Sequence, residues 1–176
     1  MKFALSLLLG LVLLAPTGAW AVGTLTPAAG LGSQEQSIET AAAVMVNGNT
    51  IFTVTGGPIS IVDLVSVCVT ANDATASTLQ WSSTPTVGSA KTISGATASL
   101  GSATAGTTVK LNQTSLATAP DIVTAANGGV QIGANVANRI VVKDGTITIV
   151  IGVGSTTGTW KHMLRYVPLS PYASVR

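Results

Sequence analysis

After residue 40, apolar and polar positions alternate with a period of two over most of the chain, the spacing of strands that bury one face. Val44-Met45-Val46 and Thr50-Ile51-Phe52-Thr53-Val54 flank Asn47-Gly48-Asn49, which predicts a hairpin closed by a tight turn and ended by Gly56-Gly57-Pro58. The β-branched run over residues 59–69 predicts a long strand with Ile59, Ile61, Val65, Val67 and Val69 pointing inward. Beyond a turn at Asn72-Asp73, residues 77–81 predict a strand with Leu79 and Trp81 on one face. A second hairpin is predicted where Arg139-Ile140-Val141-Val142-Lys143 meets Thr146-Ile147-Thr148-Ile149-Val150-Ile151 across Asp144-Gly145. Residues 159–167 place Trp160, His162, Leu164 and Tyr166 on one face and Lys161, Met163, Arg165 and Val167 on the other, until Pro168 ends the strand.

Between these segments, residues 84–117 are rich in Ala, Ser, Thr and Gly. Their alternation in 92–100 and 107–111 predicts short strands with small side chains, and residues 121–138 read as a loop. Roughly eight to ten short strands with no amphipathic helix predict an all-β fold, an antiparallel β-sandwich or jelly roll. A parallel sheet would need crossover helices, and the pattern offers none.

The first 40 residues break the alternation. Met1-Lys2 precedes an apolar run over residues 3–15, then Pro16, Gly18 and the small-residue pattern Ala19-Trp20-Ala21. This order predicts an export signal over residues 1–21. The run is short for a membrane-spanning helix, which needs about 20 residues. Membrane contact is expected only through this signal, if it is retained. Residues 22–40 read as an extended arm, whose Leu25, Leu31 and Ile38 could dock into a neighbouring copy. Residues 41–176 read as the β domain.

Composition sharpens the expectation. Charged residues make up 8% of the chain, against about 25% in ordinary soluble domains, while 47% are hydrophobic. Disorder is excluded by that hydrophobic share. A surface so poor in charge suits a protein that covers much of itself with its own copies or with a larger assembly. The net charge of +2 comes from scattered residues, so no basic stripe for nucleic acid is present.

Candidate chemistry is sparse. Cys68 is the single cysteine and lies in an apolar run, as a small buried hydrophobe would. His162 is the single histidine, and its strand-face position beside Trp160 suits packing better than a Ser-His-acid triad. One His and one Cys cannot supply the usual ligands of a zinc site. Asp63, Asp73, Asp121 and Asp144 are far apart in sequence, and three of them fall in predicted turns, where a carboxylate bonds the turn backbone. Calcium would need clustered oxygen donors. Gly152-Val153-Gly154 lacks the third glycine and following helix of a dinucleotide loop, and Asn112-Gln113-Thr114 is a formal glycosylation sequon. The expectation is a non-enzymatic structural protein with no catalytic, cofactor or metal residues and no small-molecule substrate.

Three stretches carry a resemblance: Val46-Asn47-Gly48-Asn49-Thr50-Ile51-Phe52, residues 69–80, and residues 152–162 continuing as Leu164-Arg165-Tyr166-Val167-Pro168-Leu169. In these the chain resembles small β-rich virion proteins of tailed bacteriophages. The resemblance implies a structural role on a virion, as a head decoration or tail-associated component, and with it self-association or binding to virion proteins. The signal-like amino terminus departs from that group, most of whose members assemble in the cytoplasm. It fits the alternative, an exported surface or periplasmic protein of adhesin or fibre-subunit type.

Overall fold

The computed structural model describes residues 34–114, 116–123, 139–153 and 155–176. The expected export signal, the first part of the arm and most of the loop predicted over 121–138 lie outside them. Within them all regular structure is strand: β1 (Gln36–Glu39), β2 (Ala43–Val46), β3 (Thr50–Thr55), β4 (Ile59–Cys68), β5 (Leu79–Pro85), β6 (Lys91–Thr92), β7 (Thr108–Lys110), β8 (Asp121–Val123), β9 (Val141–Val142), β10 (Gly145–Ile151), β11 (Ser155–Pro168) and β12 (Ser174–Val175).

The strands form two antiparallel sheets. In the first the order is β1-β11-β4-β7-β8, with β2 also on β11 and β9 also on β4; in the second it is β12-β3-β10-β5-β6. Phe52, Leu79, Trp81, Ile147 and Ile149 from the second sheet share one buried cluster with Ile61, Leu64, Val109, Trp160 and Leu164 from the first. The arrangement is sandwich-like: each sheet turns its apolar face to the other.

Alternation decided the faces of β5, β10 and β11, and in β5 and β11 the residues that share the buried face are those expected to share one. Leu79 and Trp81, then Ile147, Ile149 and Ile151, then Trp160, His162, Leu164 and Tyr166 are all buried. The predicted hairpins did not form. β2 pairs with β11 and β3 with β10, so residues 47–49 carry the chain from one sheet to the other. The turn is tight, with Asn49 N–H bonded to Val46 C=O at 3.1 Å. Only Gly48 in it has a positive φ, 85°. With Asn47 and Gly48 as the central pair, positive φ falls only at the second position, as in a type II turn, whose flanking strands splay apart. The type I′ turn of a hairpin has it at both. Asp144-Gly145 does likewise: β9 joins β4, and β10 joins β3 and β5.

β4 corrects a second expectation. Ile59 and Ile61 are buried, but the inward residues beyond are Leu64, Ser66 and Cys68, while Val65 and Val67 are half-buried and Val69 is exposed. Arg165 is opposite Asp63 and Tyr166 is opposite Ile61, so Val62 is one residue too many. Such a bulge reverses which parity faces the core. The bulge carbonyl is occupied: the buried Gln113 donates its amide N–H to Val62 C=O at 2.8 Å and accepts from Ile140 N–H at 3.2 Å.

The segment 92–100 was expected to be a strand, and only Lys91–Thr92 is one. Its remainder still covers the edge of β5. Trp81 N–H donates to Ser94 Oγ at 3.1 Å and Leu79 N–H to Thr97 Oγ1 at 2.9 Å, so hydroxyls stand in for ladder carbonyls. The described part of the arm is also strand: β1 pairs with β11 of its own chain, with Ile38 opposite Leu164 and packed against its own core.

Candidate interaction surfaces

The two sheets present different outer faces. On the first, Lys161 pairs with Glu39 at 2.6 Å, Lys110 with Asp63 at 3.3 Å, and Arg165 with Glu35. The Lys161–Glu39 and Arg165–Glu35 pairs are solvated and worth little to stability, whereas the Lys110–Asp63 pair is largely buried. In the second sheet β3, β5, β10 and β12 contain no Asp, Glu, Lys, Arg or His. Their outward positions are rich in hydroxyls: Thr53, Thr146 and Thr84 are neighbours across three strands, and Thr148 lies beside Ser82, which is itself buried and donates its hydroxyl to Lys91 C=O at 3.1 Å. Thr55 and Ser174 bond through their hydroxyls at 3.1 Å. Threonine alternation built this face, and the scarcity of charge was its only signal in the sequence.

At one end of the sandwich a groove of about 580 Å³ has apolar walls from Pro58, Pro85, Val87 and Val141, with Lys143 and Asp144 beside them. Its volume falls in the range of about 300–1,000 Å³ typical of binding clefts. Val87 is 86% exposed and Val141 58%. Asp144 holds this corner together. Its carboxylate accepts from Gly57 N–H at 2.7 Å, and its backbone carbonyl accepts from Thr86 N–H at 2.8 Å. Gly145 follows at φ 148°, where a Cβ would run into the Thr84 carbonyl and the Pro85 backbone. The tail joins the same corner, with Leu169 N–H bonded to Pro58 C=O at 2.9 Å and Tyr172 82% exposed.

The residues weighed for chemistry are dispersed. His162 is 5% exposed, with Nδ1 2.7 Å from Ser66 Oγ directly across the β4–β11 ladder. Burial lowers its pKa to about 4, so the ring is neutral at ordinary pH. Cys68 is buried, donates to Thr70 C=O at 3.1 Å, and has its thiol pKa pushed up by desolvation. Asp73 accepts from Thr75 N–H at 2.8 Å in a turn, and that bond lowers its pKa. Asp63 serves an ion pair and Asp144 a corner. Asp121 is placed by its backbone in β8. Asn112 closes a local turn, accepting from Thr114 N–H at 3.0 Å. Among the described residues no group of three His, Cys, Asp or Glu could hold a metal ion.

No protein-family model, no curated protein and no solved structure matches the chain.

Proposed function

We infer that the protein is a non-enzymatic structural component that covers the outer face of its second sheet on assembly, with copies of itself or with a particle. The observation that carries this reading is the segregation of charge. Ion pairs stand on the outer face of the first sheet, while four strands of the second have no charged or histidine side chain. Desolvating a charge on association costs several kcal/mol unless it is paired. A face of threonine hydroxyls and methyls avoids that penalty and satisfies its polar atoms across an interface through water or direct bonds. The particle most in keeping with the resembling stretches is a virion, on which the protein would serve as a decoration or tail-associated subunit.

The signal-like amino terminus supports a second reading, an exported surface or periplasmic subunit that assembles through the same face. Both readings predict that Thr146→Arg, a solvated change in the free chain, weakens self-association or particle binding at least tenfold, or about 1.4 kcal/mol. Sedimentation at several concentrations and co-purification with the native particle measure this. Unaltered association would remove the second sheet from the interface. The source of the co-purifying particle, virion or cell envelope, separates the two readings.

A further inference from the structure

We propose that residues 34–40 form a strap on the edge of β11 that acid releases while the rest of the sandwich stays folded, with Glu35, Glu39 and His162 as the groups that sense pH. This goes beyond the assembly reading, which concerns the second sheet's face; the strap lies on an edge of the first.

The strap is lightly held. Of its side chains only Ile38 packs against the core, while Glu35, Gln36, Ser37 and Glu39 are exposed. Its other ties are the β1–β11 ladder, a 2.6 Å bond from the Tyr166 hydroxyl to Gln36 Oε1, and two bonds between Thr40 and the His162 backbone. Ala41 and Ala42, both exposed, join it to β2, which has its own place further along β11. The strap can therefore leave β11 by turning at residues 41 and 42, with β2 still paired. A segment with few buried contacts opens at a lower free energy than the whole domain.

Acid acts on it from both faces of β11. On the outer face, Lys161 and Arg165 pair with Glu39 and Glu35, and protonation of the carboxylates removes both pairs. Each solvated pair is worth little, but the strap has few other ties.

On the inner face, the β1–β11 register continues to set His162 opposite Thr40. Burial lowers the pKa of its ring to about 4. Its Nδ1 is 2.7 Å from Ser66 Oγ on β4. No carboxylate faces it to stabilise an imidazolium among the described side chains. Asp63 on β4 is turned to the outer face with Lys110 of β7, as Glu39 is with Lys161. Cys68 of β4 and Tyr166 share the buried side and bring no negative charge in acid. The strands β3, β5, β10 and β12 of the other sheet have no Asp, Glu, Lys, Arg or His. With the strap gone, β11 becomes the edge at His162 and water can reach the ring. The released state therefore binds the proton more tightly, and falling pH shifts the balance toward release.

Hydrogen exchange of the full chain tests this, with each amide rate divided by its intrinsic rate at that pH. Between pH 7 and about pH 4.5, protection of the Ile38 and Thr40 amides should fall about tenfold or more, while Ile149 N–H, bonded to Asn49 C=O, stays about a hundredfold better protected than either. Unchanged protection of the strap would overturn the proposal. So would strap amides as well protected as Ile149 at the lower pH, since release would then be global unfolding. Glu35→Gln combined with Glu39→Gln, at two exposed positions, should lower strap protection at pH 7 about threefold and leave Ile149 unaltered. Adding His162→Gln should remove the pH dependence of the strap. No effect of the paired substitution, or an undiminished pH dependence in the triple variant, would equally defeat it. None of these readings depends on whether the second sheet's face mediates assembly.

Discussion

His162 and Ser66 face each other across the β4–β11 ladder with 2.7 Å between imidazole Nδ1 and hydroxyl, both inside the core. His162 also fastens the edge of the first sheet: its backbone N–H donates to Thr40 Oγ1 at 3.0 Å, and its carbonyl accepts from Thr40 N–H at 2.9 Å. An unfolded chain takes up a proton on this ring near pH 6.5, whereas the folded chain resists until about pH 4. The stabilisation is therefore complete above pH 6.5 and is lost as pH falls toward 4. The total is about 3 kcal/mol, since a folded pKa below the unfolded one favours unfolding in acid. Denaturant melts between pH 7 and 4 should show this slope, and His162→Gln should lose it. An equal slope in the variant would assign the acid sensitivity to other groups.

Ile149 is 1% exposed, in a strand flanked by β3 and β5. Ile149→Ala removes buried methyl groups and leaves a cavity, a loss of about 2–5 kcal/mol. The midpoint of a chemical melt should fall while its slope stays constant. No shift in midpoint would contradict the central position of β10.

Gln113 joins the Val62 bulge to the segment entering β9. Gln113→Ala strips a partner from two backbone groups, and each buried unsatisfied group costs about 1–3 kcal/mol. Hydrogen exchange should quicken most at Ile140 N–H. Protection that persists there would mean another group takes over the bond.

Trp160 Nε1–H donates to Asn72 Oδ1 at 3.2 Å, and the same oxygen accepts from Gly158 N–H at 3.0 Å. Trp160→Ala should lower stability by about 3–5 kcal/mol. Trp160→Phe should cost much less in packing and expose the share due to the indole bond, which a thermal series of the two variants resolves. Similar melting temperatures for both variants would shift the weight from the ring's volume to that bond.

Gly145 tolerates no side chain at φ 148° against the Thr84 carbonyl. Gly145→Ala should destabilise the corner by more than about 1 kcal/mol, as a strained positive-φ position does. Retained stability would show that β5 can move away from β10.

Alternation alone marked which residues share a face along β5 and β11, because the period of two is a local property of an extended chain. The sequence by itself also determined that Asp144 and Gly48 sit in turns, and that Cys68 and His162 are buried. Pairing was not local. Asn47-Gly48 and Asp144-Gly145 read as hairpin turns, yet each hands the chain to the opposite sheet, because strand partners are chosen by packing of both sheets on one core. The bulge at Val62 was equally hidden: one uncounted residue, held by Gln113 fifty-one positions away, reverses the inward face of β4 beyond it. The groove and the uncharged face arise from strands distant in the chain, so only the tertiary structure could bring Pro58, Pro85 and Val141 together, or line up Thr53, Thr146 and Thr84.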